Sequence, residues 1–177
     1  MKRIILCFSA ILVLCAAAHA QEVPRVEVAG SFSFLDANLR GPGQSLHLSG
    51  GGGSVAENLN SWFGGRMEIH AFGGTVSGTS VTAQTYTYGP VFSYRKFERF
   101  TPFADLQLGA IHASTGYLGI STSAVRFAMA AGGGTDINLN RRAAIRLQAD
   151  YLMTRFLDLR QDNLQVSTGL VIRFGRR

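Results

Sequence analysis

The stretch Ala143–Arg155, AAIRLQADYLMTR, poses the question on which the fold turns. In an extended strand, side chains two apart share a face. Ile145 and Leu147 therefore point one way, and Arg146, Gln148 and Asp150 the other. A water-soluble barrel buries the apolar set and wets the polar one. A barrel in lipid does the reverse. The period alone does not say which face is inside, so the rest of the chain has to decide.

The N-terminus speaks for export. Lys2 and Arg3 precede an apolar run from Ile4 to Ala18, and Ala18-His19-Ala20 places small residues where signal peptidase reads them. Residues 1–20 thus read as a signal peptide and 21–177 as one domain. Both cysteines, Cys7 and Cys15, fall inside the signal. Leu14 stands where a lipobox wants a small residue, so cleavage is expected after Ala20 rather than acylation of Cys15. The mature chain then has no thiol and no disulfide framework. Loss of Lys2 and Arg3 takes the formal charge from +6 to +4, and Lys96 is the one lysine that remains. Arginines scattered singly through an exported chain do not form a nucleic-acid patch, and no nucleic-acid partner is expected.

Beyond Val23 there is no helical period and no run near the roughly 20 apolar residues of a spanning helix. Eight alternating segments appear instead, at about 24–35, 51–58, 62–72, 83–95, 101–112, 123–135, 143–155 and 163–174. Short connections (58–61, 96–100, 137–141) alternate with longer ones (37–50, 73–82, 113–122, 156–162). That rhythm suits an up-and-down barrel with tight turns on one side of a membrane and longer loops on the other. One face of the segments carries Val26, Phe32, Met67, Ile69, Leu106, Leu108, Phe127, Leu147 and Leu170. The other carries an expected interior network of Glu27, Arg66, Glu68, Asp105, Arg126, Arg146, Asp150 and Arg173. Its signs nearly balance, as a confined lumen requires. Eight strands leave an interior that side chains fill, hence a plug rather than a pore. Trp62, Phe63, Tyr86, Tyr94, Phe97, Phe100 and Phe103 suit interfacial girdles. Pro90 should interrupt a ladder, and Glu57 is tolerable on the lipid face only beside a turn.

On these grounds the fold expected is an eight-stranded antiparallel up-and-down transmembrane β-barrel. The region from about Pro24 to Phe174 resembles small outer-membrane barrels of the OmpA and OmpX type. The closing STGLVIRF resembles their assembly signal, with Ser167, Gly169, Ile172 and Phe174 at its positions, followed here by Gly175-Arg176-Arg177. The resemblance implies recognition by the barrel-assembly machinery, with outer-membrane lipids as partners and a monomer expected; eight strands and a long first loop put both termini on the periplasmic side.

For chemistry, His112 and Ser114 stand two apart in the fifth segment, as a base and a nucleophile would. They resemble the His-x-Ser pair of PagL-type lipid A deacylases. That family's orienting acid corresponds to Arg126 here, and Asp105 has the opposite parity. The expectation is therefore no catalysis, with a lipid A esterase as the alternative and a soluble lipocalin-like carrier as the second. His47, His70 and His112 lack metal-ligand spacing, the glycines 50–53 lack a following Lys-Ser/Thr, and neither metal nor cofactor is expected.

Overall fold

A computed structural model describes residues 23–38, 45–76, 79–117, 120–156 and 159–175. The expected signal, residues 1–20, lies outside them. Eight strands form: β1 (Val26–Asn38), β2 (Ser45–Asn58), β3 (Phe63–Val76), β4 (Thr79–Ser93), β5 (Phe100–Tyr117), β6 (Ile120–Asn138), β7 (Ala143–Phe156) and β8 (Leu159–Phe174). Each pairs antiparallel with the next, and β8 pairs with β1 to close the barrel. The register sets its shape. Partners followed from Asn58 through Gly64, Val91, Asp105, Gly132, Asp150, Gln165 and Leu35 return to β2 at Leu48, ten residues from the start. Such a stagger tilts the strands by roughly 40° and narrows the interior to side-chain dimensions.

The faces settle the opening question. Leu147 is 46% exposed, while Arg146 and Asp150 on the same strand are 5% and 3% exposed. Leu106, Leu108, Phe127 and Leu170 likewise point outward, and Glu27, Arg66, Glu68 and Asp105 are buried inside. A water-soluble carrier would face its apolar set inward, so the lipocalin-like alternative fails. The shortest strand has 13 residues, more than the roughly 9–11 a tilted membrane strand needs.

One expectation needs correcting, and one takes the simpler of its two forms. The polar and Gly-rich stretches read as long loops are largely strand. β3 runs to Val76 and β4 starts at Thr79, for example, and β5 reaches Tyr117 before β6 starts at Ile120. Ladder hydrogen bonds satisfy the backbone with or without an apolar outer face, so the hairpins continue where the hydrophobic pattern stops. At Pro90 the β4–β5 pairing lapses, between Tyr88–Leu108 and Val91–Asp105, with no shift of register. The break is local and no bulge forms.

At the opposite end two turns are built alike. Asn58-Leu59-Asn60 leads into β3 and Asn138-Leu139-Asn140 into β7. In the first, Asn60 Oδ1 accepts hydrogen bonds from the Trp62 and Phe63 amides at 3.0 and 2.7 Å. In the second, Asn140 Oδ1 accepts from the Arg142 and Ala143 amides at 2.8 Å each. Asn58 Nδ2 ties its turn to the Pro24 carbonyl, and Asn138 Nδ2 ties the other to that of Glu98, both at 2.9 Å. Trp62, Phe63 and Phe92 cluster on the outside beside the first turn, with Trp62 and Phe92 stacked at 6.0 Å. Glu57 is exposed at this end and lies 3.9 Å from Arg25.

Candidate functional site

Among the described residues, buried polar chemistry is concentrated in the lumen, and it is layered. Nearest the turns, Glu27 meets three arginines: Arg95 at 2.9 Å, Arg146 at 3.2 Å and Arg173 at 3.4 Å. Arg146 also grips Asp136 with two nitrogens, at 2.7 and 2.9 Å. Arg173 reaches Asp136 at 3.2 Å and Asn138 Oδ1 at 2.7 Å. The planar guanidinium fork suits such shared carboxylates.

The middle layer is richer in carboxylates. Arg66 donates to Asp105 at 2.9 Å and to Glu68 at 3.4 Å. Gln148 Nε2 donates to Glu68 at 3.3 Å and to Asp150 at 2.9 Å. Both arginine-bearing layers touch one ring, with the Arg66 and Arg146 guanidiniums over Phe103 at 4.5 and 4.9 Å. Phe103, expected in a lipid girdle, is therefore a lumen residue. It shares the parity of Thr101 and Asp105 and is 7% exposed. Backbone approach is close here. A Cβ at Gly132 would meet the Asp150 carboxylate, and one at Gly52 the His70 ring. Those two glycines make room for the polar side chains opposite them.

Toward the hairpin end the lumen turns apolar. Leu35, Leu48, Phe72, Ile111 and Leu152, with Ala83, Ala128 and Ala130, form one buried cluster of inward side chains. Between polar layers a void of about 10 Å³ remains, lined by Ser31, Glu68, His70, Arg146 and Gln148 among others. It has room for about one water.

Of the expected network, Glu27, Arg66, Glu68, Asp105, Arg146 and Arg173 form ion pairs, and Asp150 joins through Gln148. Arg126 stands at a different height. It is paired in register with Ile111 of the apolar cluster, and its guanidinium donates to the Val125 carbonyl at 2.8 Å. Asp136 and Arg95, which sequence reasoning missed, do join. Their parity was legible, but they stand at or just beyond the ends of the expected segments.

His70 lies 3.1 Å by Nδ1 from Ser33 Oγ and 3.4 Å by Nε2 from Glu68. Hydroxyl, imidazole and carboxylate are the parts of a nucleophilic triad. Here Ser33 is 0% exposed, and the adjoining void admits no acyl substrate. The pair singled out in sequence sits elsewhere. His112 points outward, opposite Gln84 on β4 and Val125 on β6, and Ser114 lies opposite Thr82 and Ser123. None of these neighbours is a carboxylate, and Asp105 faces the lumen. Among the described residues no three His, Asp or Glu side chains group as metal ligands.

In comparison with known proteins, no curated protein matches the chain. Solved structures do. Neisserial surface protein A superposes with a TM-score of 0.74 at 10% identity, covering 84% of this chain and 97% of that one. Ail, the attachment invasion locus protein of Yersinia pestis, gives 0.60 at 16% identity over 84% and 99%. The outer membrane protein OprG from Pseudomonas aeruginosa gives 0.59 at 12% over 87% and 97%. At such identities the likeness is one of fold. A family model decides the rest: the one described as outer membrane protein beta-barrel domain matches residues 6–174. This chain belongs to that family of outer-membrane β-barrels.

Proposed function

We propose that the protein is a monomeric integral barrel with a structural or surface-interaction role, without catalysis and without a wide pore. Its termini and tight turns face the periplasm, and its hairpin ends face outward. The observation that carries this reading is the filled lumen. Two layers of ion pairs and an apolar cluster leave about 10 Å³ between polar layers. An ion crossing it would have to break the Arg66–Asp105 and Arg146–Asp136 contacts and then enter a layer of Leu, Ile and Phe. With the interior closed, function falls to the outer surfaces. Planar-bilayer recording tests this: the protein should insert with no stable single-channel steps. Regular ohmic steps would sink the reading.

The closing strand serves, on this proposal, as the assembly signal, read at Ser167, Gly169, Ile172 and Phe174. Phe174 is 53% exposed beside the turns, and β8 closes on β1. Phe174→Ala should fold in detergent at near-normal yield yet accumulate poorly in the outer membrane of cells. Normal accumulation would leave it a plain closing strand.

A further inference from the structure

The twin turns supply an internal control. Asn-Leu-Asn is followed by Ser61-Trp62 in one and by Arg141-Arg142 in the other, and the two backbones make the same hydrogen bonds. The turn therefore does not require the arginines. Both are exposed, and among the described residues neither has a carboxylate partner. They border an open cleft of about 1310 Å³ that runs from the mouth of the lumen to its lipid-facing rim.

The cleft has two chemistries. Arg95, Arg141, Arg142 and Arg173 line it together with Thr101 and Asn138, and among the described residues Glu98 is its one acidic lining residue. Just inside, three arginines (Arg95, Arg146 and Arg173) share two carboxylates, Glu27 and Asp136, so the mouth keeps a positive surplus. Arg95 has a side chain 10% exposed, and its Nε is buried without a hydrogen-bond partner. On the rim side the lining is Leu139, Ile172 and Phe174. The last two lie on the lipid-facing parity of β8.

We infer that this cleft binds the headgroup of an anionic phospholipid. The phosphate would lie on the arginines and the first acyl carbons against Leu139, Ile172 and Phe174. Guanidinium forks match phosphate oxygens, and the apolar wall distinguishes a lipid from a free anion. The site rests on the reading above, which places the turns in the leaflet-facing periplasm. Each arginine near an anionic leaflet contributes roughly fivefold in partitioning.

The test uses the mature barrel refolded into phosphatidylcholine nanodiscs containing phosphatidylglycerol, with retained lipids counted by native mass spectrometry. The parent should retain phosphatidylglycerol in preference to phosphatidylcholine. Arg141→Gln with Arg142→Gln should cut that preference by roughly tenfold or more. Lys96→Gln with Arg99→Gln removes the same charge from the turn between β4 and β5, at positions that do not line the cleft, and should change it less than about twofold. An inserted parent with no preference, or equal loss in the two variants, overturns the site while leaving the membrane reading intact. Competition by millimolar inorganic phosphate that abolishes the preference overturns the lipid as ligand. Failure of the parent to insert at all overturns the membrane reading, and the site with it.

Discussion

The two ends of the lumen are closed by different physics. At the turn end, closure is by direction: Glu27, Asp136, Arg146 and Arg173 are placed by hydrogen bonds of 2.7–3.2 Å that each fix an angle as well as a distance. At the hairpin end, closure is by volume: Leu35, Leu48, Phe72, Ile111 and Leu152 fill space with no bond to satisfy. The difference teaches where the barrel is brittle. A charge that loses its partner in a buried layer cannot relax into water, whereas an apolar neighbour can shift toward a gap.

The largest expected effect tests that brittleness directly. Arg66→Ala leaves Asp105 and Glu68 without their shared cation, and should destabilise the barrel by about 3–5 kcal/mol in denaturant titration. Removing Asp105 as well should recover part of the loss, because an uncompensated carboxylate goes with it. If the double variant is no more stable than the single, the Arg66–Asp105 contact is not what makes this layer brittle.

The sequence showed one end far better than the other, for a physical reason. Charges at alternate positions, such as Arg146, Gln148 and Asp150, announce a polar face wherever they occur. The apolar layer has no such contrast with the lipid face. Leu152 and Ile111 look like more of the outer belt unless parity is carried through each strand, and Leu48 lay inside an expected loop. Phe103 was misplaced for the same reason, an aromatic near a segment end being read as a girdle residue. Arg126 shows the converse limit: parity gives the side a residue faces and not its height. Only the register, which pairs it with Ile111, places it beside the apolar layer. The His70–Ser33 contact joins β3 to β1, strands that are not paired with each other, and no local pattern could signal it.

A gentler pair of changes sharpens the contrast between the ends. Leu152→Ala, in the apolar layer, should cost about 2–4 kcal/mol through lost burial and a residual cavity. Leu152→Met keeps the volume and should cost less than about 1.5 kcal/mol. Asp105→Asn also keeps its shape, yet it strips Arg66 of its closer carboxylate, so it should cost about 2 kcal/mol or more. Unfolding midpoints of the three in the same detergent decide the matter. If Asp105→Asn is as mild as Leu152→Met, the layers do not differ in kind.

The smallest effect concerns the turns that hold the charged end in place. Asn60 and Asn140 each accept two backbone hydrogen bonds through one side-chain oxygen, at 2.7–3.0 Å. Both turns are exposed, so water replaces much of what an alanine would remove, and each substitution should cost about 1 kcal/mol. The two are nevertheless not quite equivalent. The second turn leans on the lumen through Asn138, whose Oδ1 accepts from Arg173 at 2.7 Å, while in the first Asn58 Oδ1 accepts from Arg95 at 3.2 Å. Loosening the second turn should therefore disturb the shorter contact and, through Arg173, the Asp136 layer. Asn140→Ala should be the costlier by a few tenths of a kcal/mol, and only it should narrow its deficit when Arg173 is also replaced by Met. Equal costs with no such coupling would mean that the charged end holds itself together without the turns beneath it.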